Sequence, residues 1–295
     1  MNFPSLDVIA RCAGAFAVVA LLAAGPSSSH AEEAAARKVV RLAVVKTPEQ
    51  SGLLAALLPD FEAQSGYRVE VYSGSDVYDR ALGGEADLVI SHLGKGAVEE
   101  FVLSGAGLWP RPVFLSQLVI IGPDSDPAGI RGIHDPIEAM KRIAAAKAGF
   151  LVGESVGRRY LAALLLAGAG EPDRGDWFQE KDFSGNELIR HSEERGAYAL
   201  VKGLAFAQFM QRHESGMRVM LDESPLLYRV MAIVRVNPAK VEGVNAEGAM
   251  ALEAYLLSAG AQAAIANFRH PATGGRMWSP GARHNHSKGL PSPRE

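Results

Sequence analysis

The sequence predicts an α/β protein built of two lobes with a ligand cleft between them. Runs rich in β-branched residues alternate with segments of helical period along most of the chain, the pattern from which α/β sheets are built. The chain enters a second group of such elements near residue 121 and returns from it near residue 228. A hydrophobic content of 48% suffices for sizeable cores, and a net charge of −3 offers no electrostatic surface for nucleic acid.

The first 31 residues predict a signal peptide that directs the protein to the periplasm. Arg11 precedes an apolar segment over residues 13–24, which is too short to anchor a chain stably across a bilayer. Ser29 and Ala31 place small side chains at positions −3 and −1 of a cleavage site that follows Ala31. Cys12 is the only cysteine, and a lipoprotein needs a small residue where Arg11 stands, so lipidation is the lesser alternative.

A strand–helix–strand unit opens the mature chain. Its first strand covers Val39–Val45, a polar loop follows, a helix covers Leu53–Gln64, and the second strand covers Tyr67–Val71. Both strands run into loops that carry hydroxyl side chains. Because the ligands of open parallel sheets bind beyond the carboxyl ends of the strands, this unit predicts a protein that holds a small solute.

The later elements continue the alternation and define the expected lobes. Further strands are predicted over residues 86–92, 113–115, 118–123, 150–152, 197–200, 217–221 and 228–236. Further helices are predicted over residues 95–104, 137–148, 158–167, 187–195, 203–212 and 246–266. We expect a first lobe of residues 39–120 and 228–280, a second lobe of residues 121–227, and a disordered tail over residues 281–295.

Four hydroxyl side chains in the loops after the first two strands are candidate ligand contacts: Thr47, Ser51, Ser73 and Ser75. Hydroxyls and helix N-terminal amides suit a tetrahedral oxyanion, because they donate hydrogen bonds without placing a full countercharge beside it. The alternative is that these residues are ordinary helix caps and turn residues. The pattern alone leaves both interpretations open.

Charged residues beside the loops leave the sign of the ligand open. Arg158 or Arg159 could reach an anion from the second lobe and Lys46 from the first, although all three could equally be solvated. Three carboxylates lie near three of the loops, and they are Glu49, Asp76 and Glu154. If they face the cleft they repel a dianion, and the ligand is then a cation or a polar neutral solute.

The segment Gly153–Gly157 has a Gly-x-Ser-x-Gly pattern and allows a hydrolase as an alternative. It lies between a predicted strand and a predicted helix, as a nucleophile elbow does. The downstream histidines His191 and His213 fall in or beside helices, and no glycine-rich oxyanion loop precedes Ser155. We therefore predict a binding protein rather than an enzyme.

Several phrases spread over the mature chain recur together in one family. They include Arg111-Pro112-Val113, Gly175-Asp176-Trp177-Phe178, Gly196-Ala197-Tyr198-Ala199-Leu200 and Val236-Asn237-Pro238. In this order the chain resembles the TupA-like tungstate-binding proteins over residues 39–280. The resemblance implies a type II periplasmic-binding-protein fold that closes on a small oxyanion such as tungstate or molybdate, with no cofactor and no catalysis. It also implies delivery to an ABC permease in the inner membrane, and we expect a monomer.

The resemblance also identifies ligand loops in the first lobe. The family's first loop is rich in threonine and ends in serine, which Thr47 and Ser51 match. Its second loop is a glycine turn between small residues, matched by Ser73-Gly74-Ser75, and its third loop carries a histidine matched by His92.

The matching loops of the second lobe differ from the family pattern. The segment Leu151–Gly157 contains Ser155 but lacks the arginine that meets the anion, and Arg158 follows directly and could replace it. Val201-Lys202-Gly203 stands where the family has Thr-Asp-Arg. We predict the extracytoplasmic solute-binding protein of an ABC importer. The alternatives are a receptor-fold accessory or regulatory subunit, and a receptor for an organic or cationic solute.

Overall fold

The structure is a computed structural model that describes residues 38–94, 96–222, 224–271 and 274–282, so the predicted signal peptide and most of the predicted tail lie outside it. The first elements are β1 (Val39–Val45), α1 (Lys46–Gln50), α2 (Leu53–Ser65), β2 (Arg68–Gly74), α3 (Val77–Leu82), β3 (Leu88–His92) and α4 (Gly96–Leu103). The middle elements are β4 (Arg111–Pro123), α5 (Pro136–Ala145), β5 (Phe150–Val152), α6 (Val156–Gly168), β6 (Phe178–Glu180), α7 (Gly185–Glu194), β7 (Tyr198–Lys202), α8 (Gly203–Arg212) and β8 (Met217–Leu221). The last are a 3-10 turn (Pro225–Leu227), β9 (Tyr228–Arg235), α9 (Ala246–Leu256), α10 (Ala259–Asn267) and β10 (Trp278–Pro280).

The opening unit has the predicted strand–helix–strand order with one short helix added. β1 pairs in parallel with both β2 and β3. The polar segment after β1 was expected to be a loop but forms α1, whose first turn contains Pro48, where a missing backbone N–H breaks no helical hydrogen bond. Gly52 follows with a φ of +81°, a left-handed conformation that glycine adopts without strain, and directs the chain into α2.

One path of paired strands runs in the order β2-β1-β3-β9-β4-β7-β5-β6, and β8 and β10 also pair with β4. The pairs at each end of the path are parallel: β1 with β2 and β3 at one end, β5 with β6 and β7 at the other. The central pairs are antiparallel. Two parallel halves of the sheet are therefore joined through β4 and β9.

Strand β4 takes part in both halves of the sheet. Its first part, Arg111–Gln117, pairs with β9, and Leu118–Ile121 pairs with β7. The prediction of two separate strands here is wrong, because the polar pair Ser116 and Gln117 does not end the strand. Both residues keep ladder partners in β9, so the backbone continues extended between the halves.

Each half of the sheet has its own hydrophobic core. Phe114 and Trp278 belong to the core of the first half, with their rings edge to face at a centroid distance of 4.9 Å. Phe150 and Tyr198 belong to the core of the second half, where both are fully buried. Burial of each such side chain contributes about 1.5–3 kcal/mol to stability, so each half has the apolar content of a folded lobe.

The long helix predicted over residues 246–266 is wrong, since α9 and α10 are separate helices bent by 56°. The Ser258 side chain accepts a hydrogen bond from the Ala261 N–H at 3.2 Å, an N-cap interaction that starts a new helix. Among the described residues no single helix is long and apolar enough to cross a membrane, and only this bent pair meets the criterion when its two helices are taken together.

Candidate functional site

A small cavity lies where β4 passes from one half of the sheet to the other. Its volume is about 20 Å³. On the same scale one buried water needs about 10–15 Å³, so the cavity suits a small solute rather than a sugar or a peptide. Residues from both halves and from the joining strands line it: Thr47, His92, Ser116, Gln117, Leu118, Lys202, Leu204, Arg229, Met277 and Trp278.

Arg229 brings a positive charge to this cavity from β9. It lies opposite Ser116 of β4, whose hydroxyl donates a hydrogen bond to the Arg229 carbonyl at 3.4 Å. Burial lowers the pKa of the Arg229 guanidinium, and no carboxylate among the described residues counteracts that shift. A partly buried cation without a carboxylate partner is suited to binding an anion.

Arg158 places a second guanidinium near the first. Only 7% of its surface is exposed, and its Nε has no hydrogen-bond partner among the described residues. Burial lowers the pKa of Arg158 most, the charge of Arg229 lowers it further, and Glu154 opposes both effects. A Cβ added to Gly157 would lie 3.9 Å from Arg229 Nη2, so Arg229 reaches the first turn of α6, the turn that also carries Arg158.

Polar side chains at strand ends complete the lining. Thr47 follows β1, His92 is the last residue of β3, and Lys202 is the last residue of β7. Gln117 donates a hydrogen bond from its side-chain amide to the Asp222 carbonyl, which fixes its orientation. The cavity thus combines two hydroxyls, an imidazole, an amide and two cationic side chains from separate parts of the chain.

Among the predicted ligand residues, Thr47 lines the cavity, whereas the Ser51 side chain makes its hydrogen bonds within the protein. The Ser51 hydroxyl donates to the Pro48 carbonyl at 3.0 Å. It accepts hydrogen bonds from the Leu53 N–H at 3.3 Å and from the Trp278 indole N–H at 3.0 Å. One donor and two acceptor positions are all that a hydroxyl has, so all of them are occupied by the protein itself.

Of the other predicted ligand residues, two lie at or near the cavity and three are not among its lining residues. His92 lines the cavity, and Arg158 lies close to it as described above. The Ser73 hydroxyl is buried with no hydrogen-bond partner among the described residues, and Ser75 is exposed. Ser155 stands directly before α6, where its hydroxyl makes no capping hydrogen bond.

The three carboxylates near the predicted loops are not among the lining residues. Asp76 accepts a hydrogen bond from the Tyr72 hydroxyl, which lowers the pKa of Asp76, and it lies 3.6 Å from Arg80. Glu49 and Glu154 are exposed. Since no carboxylate is found among the described residues that line the cavity, its charge is positive.

The other two candidate cations, Arg159 and Lys46, have different environments. Arg159 pairs with Asp182 at 2.6 Å and lies 3.7 Å from Glu180, whereas Arg158 has no carboxylate within ion-pair distance among the described residues. Lys46 is exposed. Neither residue lines the cavity.

The Gly-x-Ser-x-Gly segment forms the turn that leads into α6, and the two candidate histidines have other partners. His191 stacks on Phe183 at a centroid distance of 4.1 Å and lies 3.1 Å from Glu194. His213 packs against Phe209 at 4.6 Å. Within the described ranges no group of three or more His, Cys, Asp or Glu side chains is placed to hold a metal ion.

The lining residues on the joining strands and near the C-terminus are not predicted by the sequence pattern. Ser116, Gln117 and Arg229 are polar residues in otherwise apolar strands, and a polar residue in a buried strand was the available signal. Met277 and Trp278 reach the cavity through the pairing of β10 with β4. That contact joins residues far apart in the chain, which a local pattern does not reveal.

Residues 42–268 match the family described as bacterial extracellular solute-binding protein. This match covers well over half of the chain. The chain belongs to this family. It is a family of binding proteins, and its members act outside the cytoplasm.

Individual relatives of this solute-binding protein confirm the TupA-like resemblance. The tungstate-binding protein TupA of Peptoclostridium acidaminophilum is 27% identical over 273 residues, covering 91% of this chain and 94% of the relative. The solved structure of the tungstate-binding protein TupA from Desulfovibrio alaskensis G20 has a TM-score of 0.71 at 21% identity, covering 83% of this chain and 99% of that one. The structure of the tungstate ABC transporter from Geobacter sulfurreducens has a TM-score of 0.61 at 26% identity, covering 78% and 98%. The predicted two-lobed α/β periplasmic-binding-protein fold is confirmed.

Proposed function

We propose that this solute-binding protein serves an ABC importer and holds a small oxyanion, such as tungstate or molybdate, in the cleft between its lobes. The observation that carries the proposal is the charge of the cavity. Arg229 and Lys202 line it, Arg158 lies close by, and no carboxylate is among its described lining residues. A charge removed from water needs opposite charge and hydrogen-bond donors around it, and this cavity supplies both for an anion.

The same distribution of charge argues against a cationic solute. A cation in this cavity would meet the guanidinium of Arg229, and no carboxylate is among the described lining residues. Like charges at short distance in a partly buried site repel strongly. The three carboxylates that left the ligand's sign open in the sequence are therefore not an argument for a cation.

We assign the contacts to Thr47, His92 and Arg229, with Arg158 and Lys202 contributing positive charge. The hydroxyl of Thr47 donates one hydrogen bond, and the planar guanidinium of Arg229 can donate two in parallel to neighbouring oxygens. Ligand contact by the other predicted hydroxyls remains a prediction, and these are Ser51, Ser73, Ser75 and Ser155.

Ligand capture is proposed to work by closure of two lobes, residues 39–120 with 228–280 and residues 121–227. A ligand that binds the closed form more tightly than the open form shifts the population toward closure. The cavity lies beside β4 and β9, the strands that join the two halves of the sheet. These strands are the natural hinge, since the chain passes between the proposed lobes there.

We further propose a periplasmic monomer that is exported by a signal peptide cleaved after Ala31 and delivers its ligand to an inner-membrane permease. The relatives support this: one is named for tungstate binding, and the structure from Geobacter sulfurreducens is described as a tungstate ABC transporter. Genes for a permease and an ATPase beside this gene would favour import, and their absence would favour the accessory subunit.

A thermal-shift screen of the mature chain tests the ligand class. The panel contains tungstate, molybdate, sulfate and phosphate, with organic anions and the cations choline and lysine for comparison. A tight ligand at about 100 times its Kd stabilises the folded protein by roughly 2.7 kcal/mol. We expect that stabilisation from at least one tetrahedral oxyanion and none from the cations. Stabilisation by a cation alone, or by no oxyanion, would overturn the assignment.

A further inference from the structure

We infer that Arg158 and Arg229 act together as a charge-selective pair, which makes the cleft prefer a dianion over a monoanion of the same shape. The inference rests on the proposed function and deepens it, because it states which charge the ligand carries. Arg229 lines the cavity and contacts the ligand. Arg158 acts on the ligand through its charge.

Both guanidiniums are packed around the segment that leads into α6. Arg229 Nη2 lies 3.9 Å from the position of a Cβ on Gly157. Arg158 begins in the same turn, and its Nη2 lies 3.2 Å from the position of a Cβ on Gly153. The two glycines of the Gly-x-Ser-x-Gly segment therefore border the arginine pair, which gives that segment a role at an anion site instead of a nucleophile elbow.

Among the described residues neither arginine has a carboxylate within ion-pair distance, and only the exposed Glu154 partly offsets the charge of Arg158, whereas buried arginines are normally paired. The Nε atoms of Arg158 and Arg159 are both buried without a hydrogen-bond partner among the described residues, so the two arginines differ in their carboxylate contacts. The adjacent Arg159 shows the usual arrangement, with Asp182 at 2.6 Å and Glu180 at 3.7 Å. Arg158 and Arg229 lie close enough for their charges to interact, and neither has a close carboxylate among the described residues. We therefore infer that the negative charge opposite them is supplied by the ligand.

The number of charges then decides which ligands are held tightly. A dianion balances both guanidiniums, whereas a monoanion leaves one buried positive charge without a partner. Electrostatic interactions in such a site are several times stronger than in water, so the difference is large. Lys202 also lines the cavity, but it is exposed, and solvent and salt screen its charge more than that of the buried pair.

Calorimetric titration with two pairs of ions tests the inference. Tungstate and perrhenate are tetrahedral oxyanions with the same number of electrons and nearly the same size, and they differ by one charge. Sulfate and perchlorate form a second such pair. The measured quantity is the ratio of the two affinities within each pair, because errors in the fraction of active protein cancel in that ratio.

The variants are Arg229→Gln and Arg158→Gln, with Arg159→Gln as the matched control one position away. We expect the wild type to prefer the dianion by on the order of 100-fold, and each of the first two variants to lower that ratio by about tenfold or more. The control keeps the wild-type ratio. Arg229→Lys keeps the charge but loses the planar fork, so it weakens both ions and leaves the ratio near that of the wild type.

The outcomes separate this inference from the proposed function. If the wild type binds tungstate or sulfate and the ratios of Arg229→Gln and Arg158→Gln equal its own, the inference is wrong and the proposed function stands. If the wild type binds none of the four ions, the inference is wrong, and the thermal-shift panel, which adds molybdate and phosphate, decides the proposed function separately. Should Arg229→Gln fail to fold, Arg158→Gln decides alone, since it removes one charge of the same pair without touching the cavity lining.

Discussion

The indole N–H of Trp278 donates a hydrogen bond to the hydroxyl of Ser51 at 3.0 Å, and both residues are almost completely buried. Through this bond the last described strand, β10, holds the segment that follows the first strand. Trp278 lines the cavity, and Thr47 of the neighbouring helix α1 lines it too. The contact therefore ties together two distant parts of the chain at the edge of the candidate site.

Replacement of Ser51 by alanine is expected to reduce stability. The change leaves the indole N–H of Trp278 buried without an acceptor, which costs about 1–3 kcal/mol. Urea unfolding monitored by tryptophan fluorescence measures the loss. Ser75→Ala, at an exposed position, is the control and is expected to change stability by no more than about 0.5 kcal/mol. A fall in oxyanion affinity without a fall in stability would instead make Ser51 a ligand contact.

Replacement of Thr47 by valine is expected to weaken ligand binding and to leave the fold intact. Valine keeps the shape of threonine but lacks the hydroxyl, so the ligand loses one hydrogen bond. A neutral hydrogen bond contributes about 0.5–1.5 kcal/mol, which corresponds to roughly a 2- to 10-fold increase in Kd by calorimetry. Thr47→Ser retains the hydroxyl and should bind nearly as the wild type does. Equal affinity of Thr47→Val and the wild type would remove Thr47 from the site.

Replacement of Arg229 by methionine is expected to stabilise the protein when no anion is present. Burial lowers the pKa of Arg229, and the charge of Arg229 lowers that of Arg158, so the ligand-free protein holds two charges that disfavour each other. Replacing a whole buried ion pair or triad by apolar side chains is neutral or stabilises by about 1–4 kcal/mol, so we expect a gain at the lower end of that range for this one partly buried charge. Urea unfolding in anion-free buffer measures the gain. Arg159→Met loses ion pairs and should be slightly less stable than the wild type; a larger loss in Arg229→Met would contradict the prediction.

Stability at acid pH is expected to depend on Asp126. The Tyr198 hydroxyl donates to Asp126 Oδ1 at 2.6 Å and accepts a hydrogen bond from the Ala128 N–H at 2.9 Å. Burial alone would raise the pKa of Asp126, but the hydrogen bonds from Tyr198 and from the amides of Arg131 and Ile130 outweigh it, and the pKa falls below 3.8.

A carboxyl group with a lowered pKa in the folded state stabilises the fold at pH values above its ordinary pKa, and this contribution is lost as the pH falls through the folded pKa. Asp126→Asn should therefore be less stable than the wild type at neutral pH and lose less stability on acidification. Free energies of unfolding from neutral pH down to about pH 3 measure the difference. Parallel curves for variant and wild type would show that Asp126 makes no such contribution.

The elements that sequence reasoning predicted best are those with an unbroken local pattern. The bounds of β1, β5, α8 and β8 agree with the prediction, and those of β9 differ by one residue. β10 was missed because its three residues carry no periodic signal and become a strand only by pairing with β4. The break between α9 and α10 was not predicted because Ser258, which caps α10, lies within a stretch of continuous helical period.

The site was predicted only in part, because only some of its residues follow a rule that can be applied to the local sequence. Thr47 and His92 stand near the carboxyl ends of strands, where a general rule for parallel sheets places ligand residues. Arg229 follows no such rule, since it lies within an antiparallel strand and reaches the cavity through the register of β9 with β4. Whether an arginine in a strand faces a cavity or solvent depends on that register, which the local sequence does not determine.

The unbroken course of β4 has a mechanical consequence for capture. Ser116 and Gln117 lie on the strand about which the two halves would rotate, and points on an axis of rotation move least. In the proposed closure this part of the cavity lining would keep its geometry, whereas α1 and α6, farther from the axis, would move more. An arriving solute would therefore meet the part of the cavity lined by Ser116 and Gln117 already in place. Fewer side chains then have to become ordered when the ligand binds, so a smaller loss of conformational entropy is subtracted from the binding free energy.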